Sequence, residues 1–204
     1  MLKTFRQNSL FFGACILFFI LGAGLILSQD KGFAVLWLNQ WHNPVFNLFF
    51  SYYTVVGDGV FYALVVIALF FWKKRAALLG LACFAASGLA VQIFKRWIFA
   101  DVPRPITYFG TKTSLDLVEG VSIHAWQSFP SGHTTTAFSC FCLLALLIKS
   151  RAWGLLFFFL ALLAGISRMY LVQHFFEDIY AGAWLGTVLT WLIYELFERK
   201  NWLR

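Results

Sequence analysis

The chain has 204 residues, 61% hydrophobic and only 12% charged, against about 25% charged in soluble domains. With a mean hydropathy of +0.76, a water-soluble domain is excluded and the bilayer becomes the main solvent. The formal net charge of +7 does not form a basic face for nucleic acid, because the Lys and Arg residues sit in short clusters between apolar runs, as membrane topology produces.

In chain order, Lys3 and Arg6 precede an uncharged run from Gln7 to Gln29. It is long for the apolar stretch of a signal peptide and no small-x-small cleavage site follows, so Ser9–Leu27 reads as a first span. The segment Gly32–Gly57 is also uncharged but is broken by Asn39, Gln40, Asn43, Pro44 and Asn47. Its aromatics, among them Trp37, Trp41, Phe49 and Tyr52, predict interfacial helices lying on the membrane. Asp58, between two glycines, reads as a turn or helix cap. Further apolar runs cover Gly59–Trp72, Ala76–Phe94, His133–Ile148, Ala152–Ser167 and Ile179–Tyr194. Spanning takes roughly 17–25 residues, so the shorter runs must borrow flanking residues. The expected fold is all-α: a polytopic membrane protein of six transmembrane helices, one domain over 1–204.

Six spans put both termini and the even-numbered loops on one side. That side collects Lys3, Arg6, Lys73, Lys74, Arg75, Lys149, Arg151, Arg199, Lys200 and Arg204 against Glu195 and Glu198. Basic residues favour the cytoplasm, so both termini are expected there. The long polar loop 100–129 then faces outward.

Three clusters on the outer side carry chemistry. Lys95 to Pro105 closes the third span, Pro130-Ser131-Gly132-His133 opens the fourth, and Ser167 to Asp178 joins the fifth and sixth. Singly, each has a plain structural reading: basic side chains snorkel at helix ends, and Ser131 is an ordinary N-cap. Jointly they supply one reaction. Phosphate transfer needs concentrated positive charge at the equatorial oxygens, which Lys95, Arg104 and Arg168 provide without a metal or cofactor. Ser131 and the backbone of Gly132 stand at a helix N-terminus, where free amides favour an anion. His174 and Asp178, spaced i, i+4, share a face of a helix, so the carboxylate can hold the tautomer that leaves the other ring nitrogen free to attack phosphorus. His133 is placed to protonate the leaving alkoxide.

These residues resemble the type 2 phosphatidic acid phosphatase family, whose pattern is K-x6-R-P, P-S-G-H and S-R-x5-H-x3-D. The second and third parts match at Pro130–His133 and Ser167–Asp178, and the motifs cover Lys95 to Asp178. The first part departs: Arg104-Pro105 fits, but Trp97 stands where lysine belongs, with Lys95 and Arg96 as competing replacements. Lys95 is assigned because lysine is the family residue. The resemblance implies His174 as nucleophile forming a phosphohistidine, Asp178 as its orienting partner and His133 as general acid. It implies Lys95, Arg104, Ser131, Gly132 and Arg168 as phosphate ligands, and a bacterial cell-membrane enzyme whose site faces the periplasm or exterior. The expected partners are the bilayer and a lipid phosphate: phosphatidate, phosphatidylglycerol phosphate, a polyprenyl diphosphate or a lipid A phosphate. A soluble phosphate ester and a non-catalytic lipid-binding or transport role are the alternatives.

Other conspicuous residues read as structural. Cys15, Cys83, Cys140 and Cys142 lie in apolar runs, as buried small hydrophobes. His42 and His124 match no motif. Glu177 points about 100° from Asp178 on a helix and is expected in solvent, and Ser87 and Gln92 read as polar groups packing helices together.

Overall fold

The computed structural model describes residues 2–200 and 202, without the side chains of Leu2 and Lys3. The charges of Lys3 and Arg204, counted above in the basic cluster, lie outside the described residues.

Among the described residues the fold is helical throughout. A short α1 (Leu2–Gln7) leads into α2 (Ser9–Ser28), whose 20 residues carry no proline and no charge and reach about 30 Å, enough for a bilayer core. Gly32, at φ 98°, takes the left-handed turn that glycine tolerates and starts α3 (Phe33–Asn39). Asn43 caps α4 (Pro44–Tyr53), its Oδ1 accepting from the Val45 and Phe46 N–H groups at 3.0 Å, with Pro44 in the first helical position. A 3₁₀ turn, Thr54–Gly57, then meets α5 (Gly59–Trp72), which Asp58 caps through the Val60 N–H.

The segment Gly32–Gly57 thus forms short helices, as expected. The α4–3₁₀ segment and α5 form one pair bent by 54°, together long and apolar enough for a broken span. Asn43 and Pro44 begin a helix rather than interrupt one. The Asn47 side chain accepts from the Tyr170 hydroxyl at 2.5 Å within the protein, and α3 and α4 both pack on α9.

The remaining helices are α6 (Lys74–Ile93), extended by a π-helical turn Phe94–Ile98, α7 (Pro105–Phe109), α8 (Gly132–Ile148), α9 (Arg151–Tyr170) and α10 (Phe176–Arg199). Each of the six predicted runs is a helix. By length and composition, α2, α6 with its π turn, α9 and α10 qualify as spans, and the bent pair makes a fifth. The 17-residue α8 is shorter, but it packs against α5, α6, α9 and α10 and buries Phe138, Cys140, Leu143 and Leu146. Protein rather than lipid surrounds it. All four cysteines are free and buried. The expectation fails for Gln92 only, since Ser87 is buried within the bundle. The Ser87 hydroxyl turns back to its own helix at the Phe84 carbonyl, and Gln92 lies exposed on the bundle surface.

Small residues set the closest approach. A Cβ on Gly182 would stand 2.7 Å from the Ser131 carbonyl oxygen, and one on Gly186 would meet the Thr135 backbone. One turn apart on α10, these glycines let it press on the N-terminal half of α8. Below them, Ser139 on α8 bonds Thr190 on α10 at 2.7 Å and Tyr62 on α5 at 3.3 Å. At the far end, Lys149 pairs with Glu198 at 3.5 Å beside the α5–α6 turn. The two short basic turns and the C-terminal end of α10 thus share one end of the bundle, and the three motif clusters share the other.

Candidate active site

The three clusters converge where α6 ends, α8 and α10 begin, and α9 ends. The spacing anomaly in the first has a backbone cause. The last turn of α6 is π-helical, closed by the Phe99 N–H on the Phe94 carbonyl at 2.8 Å, and a π turn takes up one of the two additional residues between Lys95 and Arg104. Lys95 is consequently buried, and its Nζ donates to the Gln127 carbonyl at 2.6 Å, while Arg96 is exposed. Of the two competitors, Lys95 faces the cluster.

Arg104 precedes Pro105 at the start of α7 and is 8% exposed. Its Nε donates to the Trp126 carbonyl at 3.0 Å, and its Nη1 to the carbonyl and Oε1 of Gln173 at 3.2 and 3.0 Å. Ser131, fully buried, is the N-cap of α8, its Oγ accepting from the Thr134 N–H at 3.4 Å and the Thr134 hydroxyl at 2.9 Å. Gly132 and His133 form the first turn. The Ser131 N–H donates to the Asp178 carbonyl at 3.0 Å, tying the second cluster to the third through backbone.

Arg168, in the last turn of α9, is buried. Its Nη1 donates to Thr54 Oγ1 at 2.7 Å and its Nε has no protein partner. Beyond it the chain turns tightly: the N–H groups of Gln173 and His174 both return to the Arg168 carbonyl, at 2.8 and 3.3 Å. Val172 makes that turn at φ 56°, a strained conformation for a β-branched residue, of the kind that concentrates at functional sites.

His174 and Asp178 do meet, but not as two residues on one helical face. His174 lies in the turn before α10, and Asp178 is in the first turn of that helix. The Asp178 carboxylate curls back over the helix start, where Oδ2 accepts from the Phe175 N–H at 2.9 Å, the Ser128 hydroxyl at 2.5 Å and His174 Nδ1 at 3.2 Å. Unpaired amides at a helix N-terminus attract a carboxylate, and the imidazole is bound on the same oxygen. An Nδ1–H donated to Asp178 leaves the lone pair on Nε2. His174 titrates well below the ordinary histidine value of 6.5, first because it is buried and then because Arg104, Lys95, Arg168 and His133 face it. It is therefore a neutral imidazole with a free lone pair in a positive field.

Sequence reasoning missed Ser128, Gln173 and Thr54, which respectively hold Asp178, Arg104 and Arg168. Gln173 and Ser128 stood next to recognised motifs; Thr54 had no local signal. His42 is structural, stacked on Tyr170 at 4.2 Å with Nε2 on the Tyr170 carbonyl. His124 is exposed in the long loop before α8, and Glu177 is half-exposed beside a groove on the bundle.

A histidine oriented by a buried carboxylate, under three basic side chains at one end of an apolar helical bundle, defines an integral membrane protein built to handle phosphate. The chain belongs to the PAP2 superfamily, whose family model matches residues 76–202. It is 29% identical over 217 residues to phosphatidylglycerophosphatase B of Bacillus subtilis (strain 168), covering 96% of each chain. Among solved structures it is similar to Aquifex aeolicus LpxE, with a TM-score of 0.72 and 23% identity over 83% of this chain and 98% of that one. It is also similar to the first transmembrane PAP2-type phosphatidylglycerolphosphate phosphatase from Bacillus subtilis, with a TM-score of 0.71 and 26% identity over 98% and 100%.

Proposed function

We propose that this lipid phosphatase hydrolyses a phosphomonoester or diphosphate of a membrane lipid through a phosphohistidine on His174, without a metal. The observation that carries the reading is the His174 Nδ1–Asp178 Oδ2 bond in a site that Lys95, Arg104 and Arg168 all face. In the first step His174 Nε2 forms a bond to phosphorus as the bond from phosphorus to the lipid-side oxygen breaks, and His133 gives its proton to the departing oxygen. In the second, His133 takes a proton from water, whose oxygen forms a new bond to phosphorus as the P–N bond breaks. Lys95, Arg104, Arg168, the Ser131 hydroxyl and the amides at the start of α8 hold the equatorial oxygens.

The lipid chains need a route that keeps them in hydrocarbon. A lateral groove of about 540 Å³ is lined by Phe94, Phe99, Phe129, Pro130, Ala181 and Trp184. Phe94 precedes Lys95 and Pro130 precedes Ser131, so its apolar wall adjoins two of the clusters. Phosphatidylglycerol phosphate is the first substrate to try, given the Bacillus subtilis matches. The charge distribution supports a single domain of six spans over 1–204 with cytoplasmic termini, in a bacterial cell membrane, its site opening to the periplasm or exterior. The deciding assay is phosphate release from detergent-solubilised phosphatidylglycerol phosphate, phosphatidate, a polyprenyl diphosphate and a lipid A phosphate, beside a His174→Ala control. Release from none of them, or equal release by the control, overturns the reading.

A further inference from the structure

Three contacts bring a fourth element to this site from outside the recognised motifs. Thr54, in the 3₁₀ turn before α5, accepts a hydrogen bond from Arg168 Nη1 at 2.7 Å. Gly57 closes that turn directly against His133: a Cβ there would stand 2.8 Å from the His133 carbonyl oxygen and 2.9 Å from its Cβ. Asp58 follows, within electrostatic reach of both His133 and Arg168. The family model begins at residue 76, so this segment lies outside the matched region.

We propose that Thr54 and Gly57 are positioning residues of the phosphate site, Thr54 fixing the Arg168 guanidinium and Gly57 seating His133. The inference rests on the phosphatase reading above. Arg168 is buried, and a guanidinium without a fixed partner swings among rotamers. With Nη1 held by Thr54, the partnerless Nε is left as a donor for a phosphate oxygen. Gly57 acts by absence: any side chain there pushes the first turn of α8, and His133 with it, out of place.

The test uses full-length protein in detergent, with lipid phosphate turnover, vanadate inhibition and melting temperature read for each variant. Thr54→Val keeps the shape and removes the acceptor. It should lower kcat/KM and weaken vanadate inhibition by roughly tenfold or more, the scale of a hydrogen bond to a charged group, in a protein that still melts cooperatively at a modestly lower temperature. Thr54→Ser should restore both. Gly57→Ala should lower kcat and weaken vanadate inhibition together, since the first turn of α8 carries both His133 and the amides of the anion cradle. Parent-like turnover and vanadate inhibition in Thr54→Val, or a Thr54→Ser variant as impaired as Thr54→Val, overturns the role of Thr54. A fully active Gly57→Ala overturns that of Gly57. An active Arg168→Ala would instead mean that the phosphate site itself is misassigned.

Discussion

At residue scale the site turns on which charges and lone pairs are already committed. The Nδ1 edge of His174 is engaged by Asp178, so nucleophilicity resides in the other nitrogen. His174→Ala should reduce turnover by several orders of magnitude while vanadate still binds in part; near-normal turnover in the purified variant would sink the mechanism. Because burial and the surrounding cations hold His174 well below 6.5, acidification protonates it only beyond the ordinary histidine range. The acid limb of kcat/KM, corrected for substrate ionisation, should therefore lie below that value, and a limb centred on it would contradict the neutral nucleophile. The buried Lys95 and exposed Arg96 make a third test: Lys95→Ala should cripple turnover and Arg96→Ala should be mild. The sequence favours Lys95 by residue type alone, since a π turn and an α turn carry no distinguishing residue pattern. The pairing of His174 with Asp178 was legible, but its geometry was not, because i, i+4 spacing describes a helix face and gives no sign that the helix starts between the two.

At the scale of elements, the six apolar runs translated directly into helices because hydropathy is a strong signal over such lengths. In Gly32–Gly57 the short helices were legible, but the bent pairing of α4 and its 3₁₀ turn with α5 was not, because Asn and Pro serve equally as breakers and as helix starters. That same segment delivers Thr54 to Arg168, a contact between residues 114 apart that no local pattern could announce. The groove between the end of α6 and α10 offers a test of the lipid route. Ala181→Trp should fill it and raise KM for long-chain lipid phosphates about tenfold, the scale of a bulky apolar side chain displaced from a pocket, while sparing a short-chain soluble ester. Equal loss on both substrates would place the acyl chains elsewhere.

Across the whole molecule, the proposed catalytic set occupies the end of the bundle opposite Lys149, Glu198 and the α5–α6 turn. With cysteines 15, 83, 140 and 142 replaced, a thiol introduced at Thr111 in intact cells should react with an impermeant reagent. One at Ser150 should react only after the membrane is opened. The reverse order would move the chemistry to the cytoplasmic leaflet.

Asp178 fastens the start of α10 and orients His174 with the same carboxylate oxygen, and the Ser131 amide closes onto the Asp178 carbonyl. Turnover is thus a gauge of whether one helix end is seated. On heating, the first event to silence the enzyme should be fraying of that end, with most of the helical signal still intact. The midpoint of activity loss should precede the midpoint of the circular dichroism transition, and early inactivation of this kind should reverse on cooling.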